Sequence, residues 1–475
     1  MTPDDPPPAP PLPAAARWAL AGLIATPLVL FLHQGSMLHA PEDPRANSLA
    51  ALAEVRQVIL ERWVEPPDDD ALTDGALRGM VRHLDEHSEF ISAQQLAQFE
   101  EDTTGQFGGL GIYISLEEGL VVVISPIEDT PAFRGGILPG DVILRIDGGA
   151  YEFATSSEAV AALKGPPGTK ITLTVRQGDA PPRDITLTRE VIQVTSVKGT
   201  RLLDPEQKVG YARITAFNSG TVDEFKAAAA RLEAEGARAL ILDLRGNPGG
   251  YLHAATEVAD LFLEKGRTIV ETRARGPDEV STIRAVVPRT LGLPVAVLID
   301  GGSASASEIL GGALADNGVA TLVGQRSYGK GSVQSLISVL GGRAQLKLTT
   351  QHYFTPSGRR IHRGDLPPTD ARWGLLPDLA VRLDPQLRQR LAQAEAERDM
   401  ERLKALARHE AAGGPEERLH RDDPQVAAAY EHLLRVLAGE AKVGRQPGPP
   451  ADLSSASPID SSTHADDEPP PPYGE

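Results

Sequence analysis

From Gly210 onward short apolar runs alternate with longer helical ones, and this alternation limits the possible folds more than any other feature of the chain. Gly210 to Ile214, Ala239 to Leu244 and Val295 to Ile299 read as strands, while Val222 to Glu235, Leu252 to Leu263 and Ser307 to Ala315 read as helices. Strands separated by helices are joined by crossovers, so the pattern predicts a mainly parallel sheet. Upstream the periodicity changes. Leu110 to Ile114, Leu120 to Ile124, Val142 to Ile146, Ile171 to Val175 and Ile185 to Thr188 read as short strands around one helix, Ser157 to Leu163, which outlines a small β-rich domain. Earlier still, Leu49, Leu52, Val55 and Ile59, then Leu77, Met80, Val81 and Leu84, recur at helical spacing on either side of Pro66-Pro67 and an acidic run, a helical entry module. Two more helical stretches, Gln386 to His409 and Gln425 to Ala441, follow Asp384.

Composition narrows the chemistry. With 475 residues and 41% hydrophobic content the chain can bury real cores. The absence of Cys excludes disulfides, thiolate-held zinc, iron–sulfur clusters and a cysteine nucleophile. A formal net charge of −18 has the wrong sign for binding phosphate backbones, so nucleic acid is not an expected partner. Gln446 to Glu475 holds acids but no Lys or Arg and includes the Pro469 to Pro472 run, which reads as a disordered tail. At the other end a Pro-rich leader gives way to an apolar segment, Ala14 to Leu32, broken only by Arg17. The cleavage signature Leu38-His39-Ala40 is followed by Pro41, so the segment is expected to remain as an uncleaved membrane anchor.

Three groups of residues could carry chemistry. Ser303-Ala-Ser-Ala-Ser307-Glu308 sits between a strand and a helix, where partial positive charge at the helix start suits an oxyanion; Ser305 and Glu308 also fit a capping box, a purely structural role. Lys330 lies in Gly324-Gln-Arg-Ser-Tyr-Gly-Lys-Gly331, which imitates a P-loop. Gly331 stands where that loop needs Ser or Thr, however, and Val333 to Leu340 is strand-like, so a nucleotide site is rejected. If a strand begins at Lys330, then Lys330, Ser332 and Gln334 share a face, and a buried, neutral amine oriented by Gln334 could take a proton from serine. The plain alternative is a surface lysine. Asp243-Leu-Arg-Gly-Asn-Pro-Gly249-Gly250 ends a strand; its glycine amides could hold an oxyanion or simply form a tight turn. No His is well placed for a triad.

Taken in order, Leu84 to Phe90, Gly105 to Ile112, Gly140 to Gly148, Leu242 to Gly250, Ser303 to Ile309, Tyr328 to Gln334 and Tyr353 to Arg359 resemble the motifs of the carboxyl-terminal processing peptidases, serine proteases of family S41 that carry a PDZ domain. The likeness covers roughly Leu49 to Leu383 and departs at Glu86, where Pro is usual, and at a longer Leu366 to Leu376 link. It implies Ser305 as nucleophile, Lys330 as base, Gln334 as the residue orienting the lysine, the amides of Gly250 and Ala306 as oxyanion hole, and no metal or cofactor. Gly108, Gly109, Leu110, Gly111 and Ile112 would receive a terminal carboxylate while the substrate tail adds as a strand.

The expected fold is multidomain, α/β and β-rich. It comprises a leader at 1–16, an anchor or signal segment at 17–33, a helical module at 48–103, a PDZ domain at 104–190, a peptidase core at 191–383, C-terminal helices at 384–442 and a tail at 443–475. Expected partners are protein substrates with unstructured C-termini, an activating adaptor, the membrane through the N-terminal segment and further copies of the chain. The enzyme is expected to be single-pass in the cytoplasmic membrane, with its catalytic domain outside the cytoplasm. The competing reading is an inactive PDZ scaffold, against which Ser305, Lys330 and Gln334 argue.

Overall fold

The computed structural model describes residues 44–444 apart from 118, 128, 277–278, 365, 368, 392, 395–396 and 399–421. It divides into two compact units between His83 and Leu84. The first holds helices α1 (Pro44–Arg62) and α2 (Asp69–Arg82). Asp68 caps α2 by accepting from Asp70 N and Ala71 N, and Arg56 Nε donates to Asp69 Oδ1 at 2.7 Å.

In the second unit β1 (Glu89–Ile91) and α3 (Ala93–Thr104) precede β2 (Gln106–Gly109), β3 (Ile112–Glu117), β4 (Leu120–Pro126), the short α4 (Pro131–Arg134), β5 (Asp141–Ile146), α5 (Ser156–Leu163), β6 (Lys170–Gln177), β7 (Arg183–Thr188) and β8 (Glu190–Gln193). Strands β3 to β7 form an antiparallel sheet in sequence order. Ile171, Leu173 and Val175 on β6 are buried at alternate positions, as a half-buried strand requires, and pack with Val121, Ile143 and Leu163. The β2–β8 pairing closes this domain at its neck by joining the chain that enters to the chain that leaves.

The larger sheet is built from β9 (Val197–Asp204), β10 (Val209–Ile214), β11 (Ala239–Asp243), β14 (Val295–Ile299), β15 (Ala320–Gly324) and β18 (Leu379–Ala380), in the order β18-β15-β14-β11-β10-β9. From β10 to β18 every pairing is parallel, and β9 adds antiparallel at the edge. The crossovers α6 (Thr221–Ala234), α7 (Leu252–Asp260) and α8 (Ala306–Asp316) cover one face, burying Phe225, Val258 and Leu310 against Leu240, Leu242, Val295 and Val297. Helix α9 (Pro424–Leu437) covers the other, burying Val426, Ala429 and Leu433 against Ala239, Ile241, Ala296 and Leu298. Alternate residues of one strand therefore serve opposite cores, and this is why these strands read as continuous apolar runs. A second sheet, β1-β17-β12-β13 with β16 also on β17, comprises β12 (Thr268–Arg273), β13 (Val280–Arg284), β16 (Ser332–Val339) and β17 (Ala344–Phe354) besides β1.

One expectation is corrected. Among the described residues no helix is long and apolar enough to cross a membrane. The longest named helix, α1, carries Glu54, Arg56, Glu61 and Arg62 along its 19 residues, charges that hydrocarbon would not accept. The segment Ala14 to Leu32 lies outside the described residues, so the single-pass anchor and the extracytoplasmic location inferred from it have no support and are withdrawn. The Pro-rich leader, the acidic tail and the part of the Gln386 to His409 helix from 399 onward also lie outside them.

Candidate active site

Three loops leave the carboxyl ends of the adjacent parallel strands β11, β14 and β15, the edge at which open α/β sheets place their ligands. They carry Gly249-Gly250, Ser303 to Ser305, and Ser327 to Lys330. Ser305 is the N-cap of α8, with φ 54° and ψ −113°, a conformation that costs a non-glycine residue energy and persists only where its surroundings enforce it.

The three serines of the loop have different fates. Ser303 Oγ donates to Leu244 O at 2.8 Å and accepts from Asp300 N, while Ser307 Oγ donates to Asn247 O at 3.0 Å; both side chains are buried. Ser305 is half-buried. Its N–H donates to Glu308 Oε2 at 2.9 Å, the carboxylate half of the expected capping box. The approach of its hydroxyl to the Glu308 amide falls short of hydrogen-bond geometry, leaving the hydroxyl available for chemistry.

Glu308 does more than cap. Fully buried, it accepts from Ser305 N and Lys330 N on Oε2, both at 2.9 Å, and from Ser327 Oγ at 2.5 Å and Gly329 N at 2.8 Å on Oε1. One carboxylate thus fixes the main chain of Ser305 relative to that of Lys330. Burial pushes its pKa up to about 6 against the pull of these donors, so it is ionised at neutral pH. The Tyr353 hydroxyl, also buried, donates to Lys330 O and to Ser305 O, bracing both loops from β17. The sequence showed Glu308 only as a cap partner and Tyr353 only within a resembling motif; no local pattern separates a buried bridging acceptor from a solvated capping acid.

Lys330 is half-buried, and burial lowers its pKa, assisted by the Lys347 cation and opposed by Glu86, Glu308 and Asp85. Gln334 on β16 donates its amide nitrogen to Ser332 Oγ at 3.0 Å and Thr349 Oγ1 at 3.1 Å. Gly249 sits against the serine: a Cβ on it would lie 2.8 Å from Ser305 Cβ and 3.0 Å from Ala306 N. Ala306 opens α8, where a helix leaves its first N–H groups without carbonyl partners. Gly250 is bridged to Phe217 through Gly249 O and Tyr251 N, a pairing in which the Gly250 N–H takes no part. A cleft of about 560 Å³, lined by Ile91, Phe99, Phe217 and Lys347, reaches Gly249 and Gly250.

The other candidate residues fall elsewhere. Gly108 and Gly109 pair with Val191 and Glu190 in the β2–β8 ribbon; Leu110 is buried, and Gly111 (φ 74°) turns the chain against Thr130 into β3 at Ile112. Strand β3 is the terminal strand of its sheet and packs against α5. The rings of His352 and His362 lie 5.0 Å apart; burial and neighbouring cations hold His362 down to about 4. Among the described residues no group of three or more His, Asp or Glu side chains is placed to hold a metal.

Comparison with known proteins matches residues 208–380 to peptidase family S41 and residues 108–186 to the PDZ domain. The chain is 39% identical over 368 residues to the carboxy-terminal-processing protease of Bartonella bacilliformis, covering 76% of this chain and 81% of that one. It belongs to the S41 carboxy-terminal-processing proteases. The carboxy-terminal processing protease CtpA of Bacillus subtilis is 31% identical over 353 residues, 74% of each chain. The solved photosystem II D1 C-terminal processing protease is 29% identical, covering 70% of this chain and 87% of its own with a TM-score of 0.40. As an S41 protease the chain is a serine-type peptidase with a PDZ domain, and its substrates are proteins.

Proposed function

We propose that this S41 protease cuts proteins near their C-termini with a Ser305/Lys330 dyad in a peptidase core at 191–383, to which a PDZ domain at 104–190 brings the substrate tail. The observation that carries the reading is the strained Ser305 at the start of α8, set against Gly249 and held to Lys330 through one buried carboxylate. The neutral Lys330 amine takes the proton from Ser305 Oγ as the oxygen attacks the scissile carbonyl. The N–H groups of Gly250 and Ala306 hold the resulting oxyanion. The Lys330 ammonium protonates the departing amine, and water then attacks the acyl-enzyme ester with the same amine as base. Gln334, anchored through its amide nitrogen, offers its carbonyl oxygen to orient the lysine. The substrate tail adds to the edge of β3, its terminal carboxylate received by the Leu110 to Ile112 turn beyond Gly108 and Gly109, and docking there gates the active site.

The test is a pair of unstructured protein substrates that differ only in a free or amidated C-terminus, with fragments identified by mass spectrometry. Cuts close to the free C-terminus and a kcat/KM roughly tenfold or more above that of the amide support the reading. No cleavage, or scattered cuts at equal rates, overturns it.

The site also sets a pH dependence. Activity should rise as Lys330 loses its proton, below the ordinary lysine value. It should fall again below about 6, because a protonated Glu308 cannot accept from both Ser305 N and Lys330 N on one oxygen and donate as well. Since the folded pKa of Glu308 lies above its unfolded 4.5, the fold binds this proton more tightly. The group therefore favours folding more strongly at low pH and loses that contribution as pH rises through about 6, so an acid loss of activity caused by it is not unfolding. A kcat/KM profile measured beside the thermal midpoint decides: an acid limb accompanied by equal loss of folded protein would contradict this origin.

A further inference from the structure

The loop that ends in Gly249-Gly250 does not hold its own shape. Gly246, Gly249 and Gly250 have φ of 66°, 105° and 134°, conformations glycine adopts freely, so the loop's geometry depends on what tethers it: the main-chain bridge to Phe217 at its far end and side chains at its root. One side-chain tether is Asn247, whose Nδ2 donates to Ile214 O while its main-chain carbonyl accepts from Ala304 N and Ser307 Oγ, and another is Asp300, whose Oδ1 accepts from Gly246 N. A third is Arg245. Its Nε and Nη2 grip the buried Asp243, while Nη1 donates to Asp423 Oδ2 at 2.7 Å and to Gln425 Oε1 at 2.9 Å. Asp423 lies 178 residues further along the chain, is 2% exposed, and caps α9 with its second oxygen by accepting from Gln425 N and Val426 N. Gln425, fully buried, donates to Val381 O.

Stability alone is a poor reason for this arrangement. Helix α9 already buries Val426, Ala429 and Leu433 in the sheet, and buried ion pairs contribute little net stability over apolar contacts. What they do supply is a fixed geometry for charged groups that cannot be left unpaired. Resting on the dyad reading above, we propose that Arg245 and Asp423 are positioning residues of the peptidase reaction: the cap of the C-terminal helix clamps the root of the oxyanion loop, so that docking of α9 sets where the Gly250 N–H points. Without the Asp423 carboxylate the guanidinium loses its second anion and turns toward water, and the main chain beside Gly246 moves with it.

Asp423→Ser separates the two duties of the carboxylate, because a serine hydroxyl caps a helix about as well but does not reach Arg245 as an anion. Tyr430→Phe, which removes the Tyr430 bond to Asp204 further along α9 and leaves the Asp423 cap in place, is the control for general loosening of the helix. The expected result is a kcat lowered roughly tenfold or more by Asp423→Ser with KM within about threefold, while Tyr430→Phe stays within about twofold. Should Asp423→Ser fail to fold, Gln425→Met, which removes the second acceptor of Nη1, should lower kcat by about threefold or more with KM unchanged. An unchanged kcat in a folded Asp423→Ser protein, or a loss matching the fraction unfolded, overturns the clamp. A wild-type protein that does not cleave the tail substrate instead removes the dyad reading beneath it.

Discussion

Ser305→Ala is expected to lower kcat for tail cleavage by about three orders of magnitude or more while leaving KM within about threefold. The hydroxyl is the only one in its loop not committed to the fold: Ser303 Oγ and Ser307 Oγ are buried and donate to Leu244 O and Asn247 O. Removing it should cost little stability, since the capping bond at this position runs from the Ser305 N–H to Glu308 and does not need the hydroxyl. Lys330→Ala should lose about as much activity, and the double variant little more than either single one, because a nucleophile and its base act as a unit. Lys330→Arg should be as inactive, since a guanidinium does not release its proton at working pH. A chelator should leave the wild-type rate unchanged. Activity surviving in Ser305→Ala would move the nucleophile elsewhere, and a full rate in Lys330→Arg would show that the amine is not the base.

Gly250→Ala is expected to lower kcat by roughly two to three orders of magnitude, the effect of misplacing an oxyanion donor, and to destabilise the core by on the order of 3 kcal/mol. At φ 134° a side chain is strained whatever the space around it, and a Cβ here would lie 2.1 Å from Phe217 O and 2.8 Å from Phe217 C. These are backbone atoms held by Phe217 N donating to Gly249 O and Tyr251 N donating to Phe217 O, so they cannot move without breaking that bridge. Gly246→Ala is the comparison: its φ of 66° is also left-handed, but its Cβ would approach only Arg213 Nη2, at 4.0 Å. It should show the conformational cost with a far smaller loss of kcat. Thermal midpoints and kcat for the two proteins check this, and equal losses would mean that the Gly250 amide has no special place in the reaction.

How much of this was open to a reader of the chain depended on whether the signal was local. Ala239 to Leu242 and Val295 to Ile299 are apolar at every position because their two faces enter two different cores, so their burial and parallel pairing were visible in the residues themselves. The same holds for Ile171, Leu173 and Val175, whose alternation marks a strand with one face inward. Ala320 to Gly324, the strand that launches the Lys330 loop, is interrupted by Thr321 and closes on a glycine, so its apolar run is shorter and gives a weaker strand signal than those of its neighbours. The second sheet was mostly hidden. Phe90 pairs with Leu346 and Thr272 with Tyr353, contacts between residues far apart in the chain that leave no period in any short window.

The same division runs through the site. The amino acids themselves determined that a serine, a lysine and a glycine pair stand at strand ends, since each motif carries its own turn chemistry, and that no cysteine takes part. Only the tertiary structure decided that Ser303 and Ser307 are bound to neighbouring carbonyls while Ser305 is not, that Glu308 faces four donors from two loops instead of water, and that Asp423 meets Arg245. The physical reason is that a hydroxyl or carboxylate has the same chemistry wherever it stands in a chain, and its function depends on burial and on partners brought from distant strands, which local sequence does not encode.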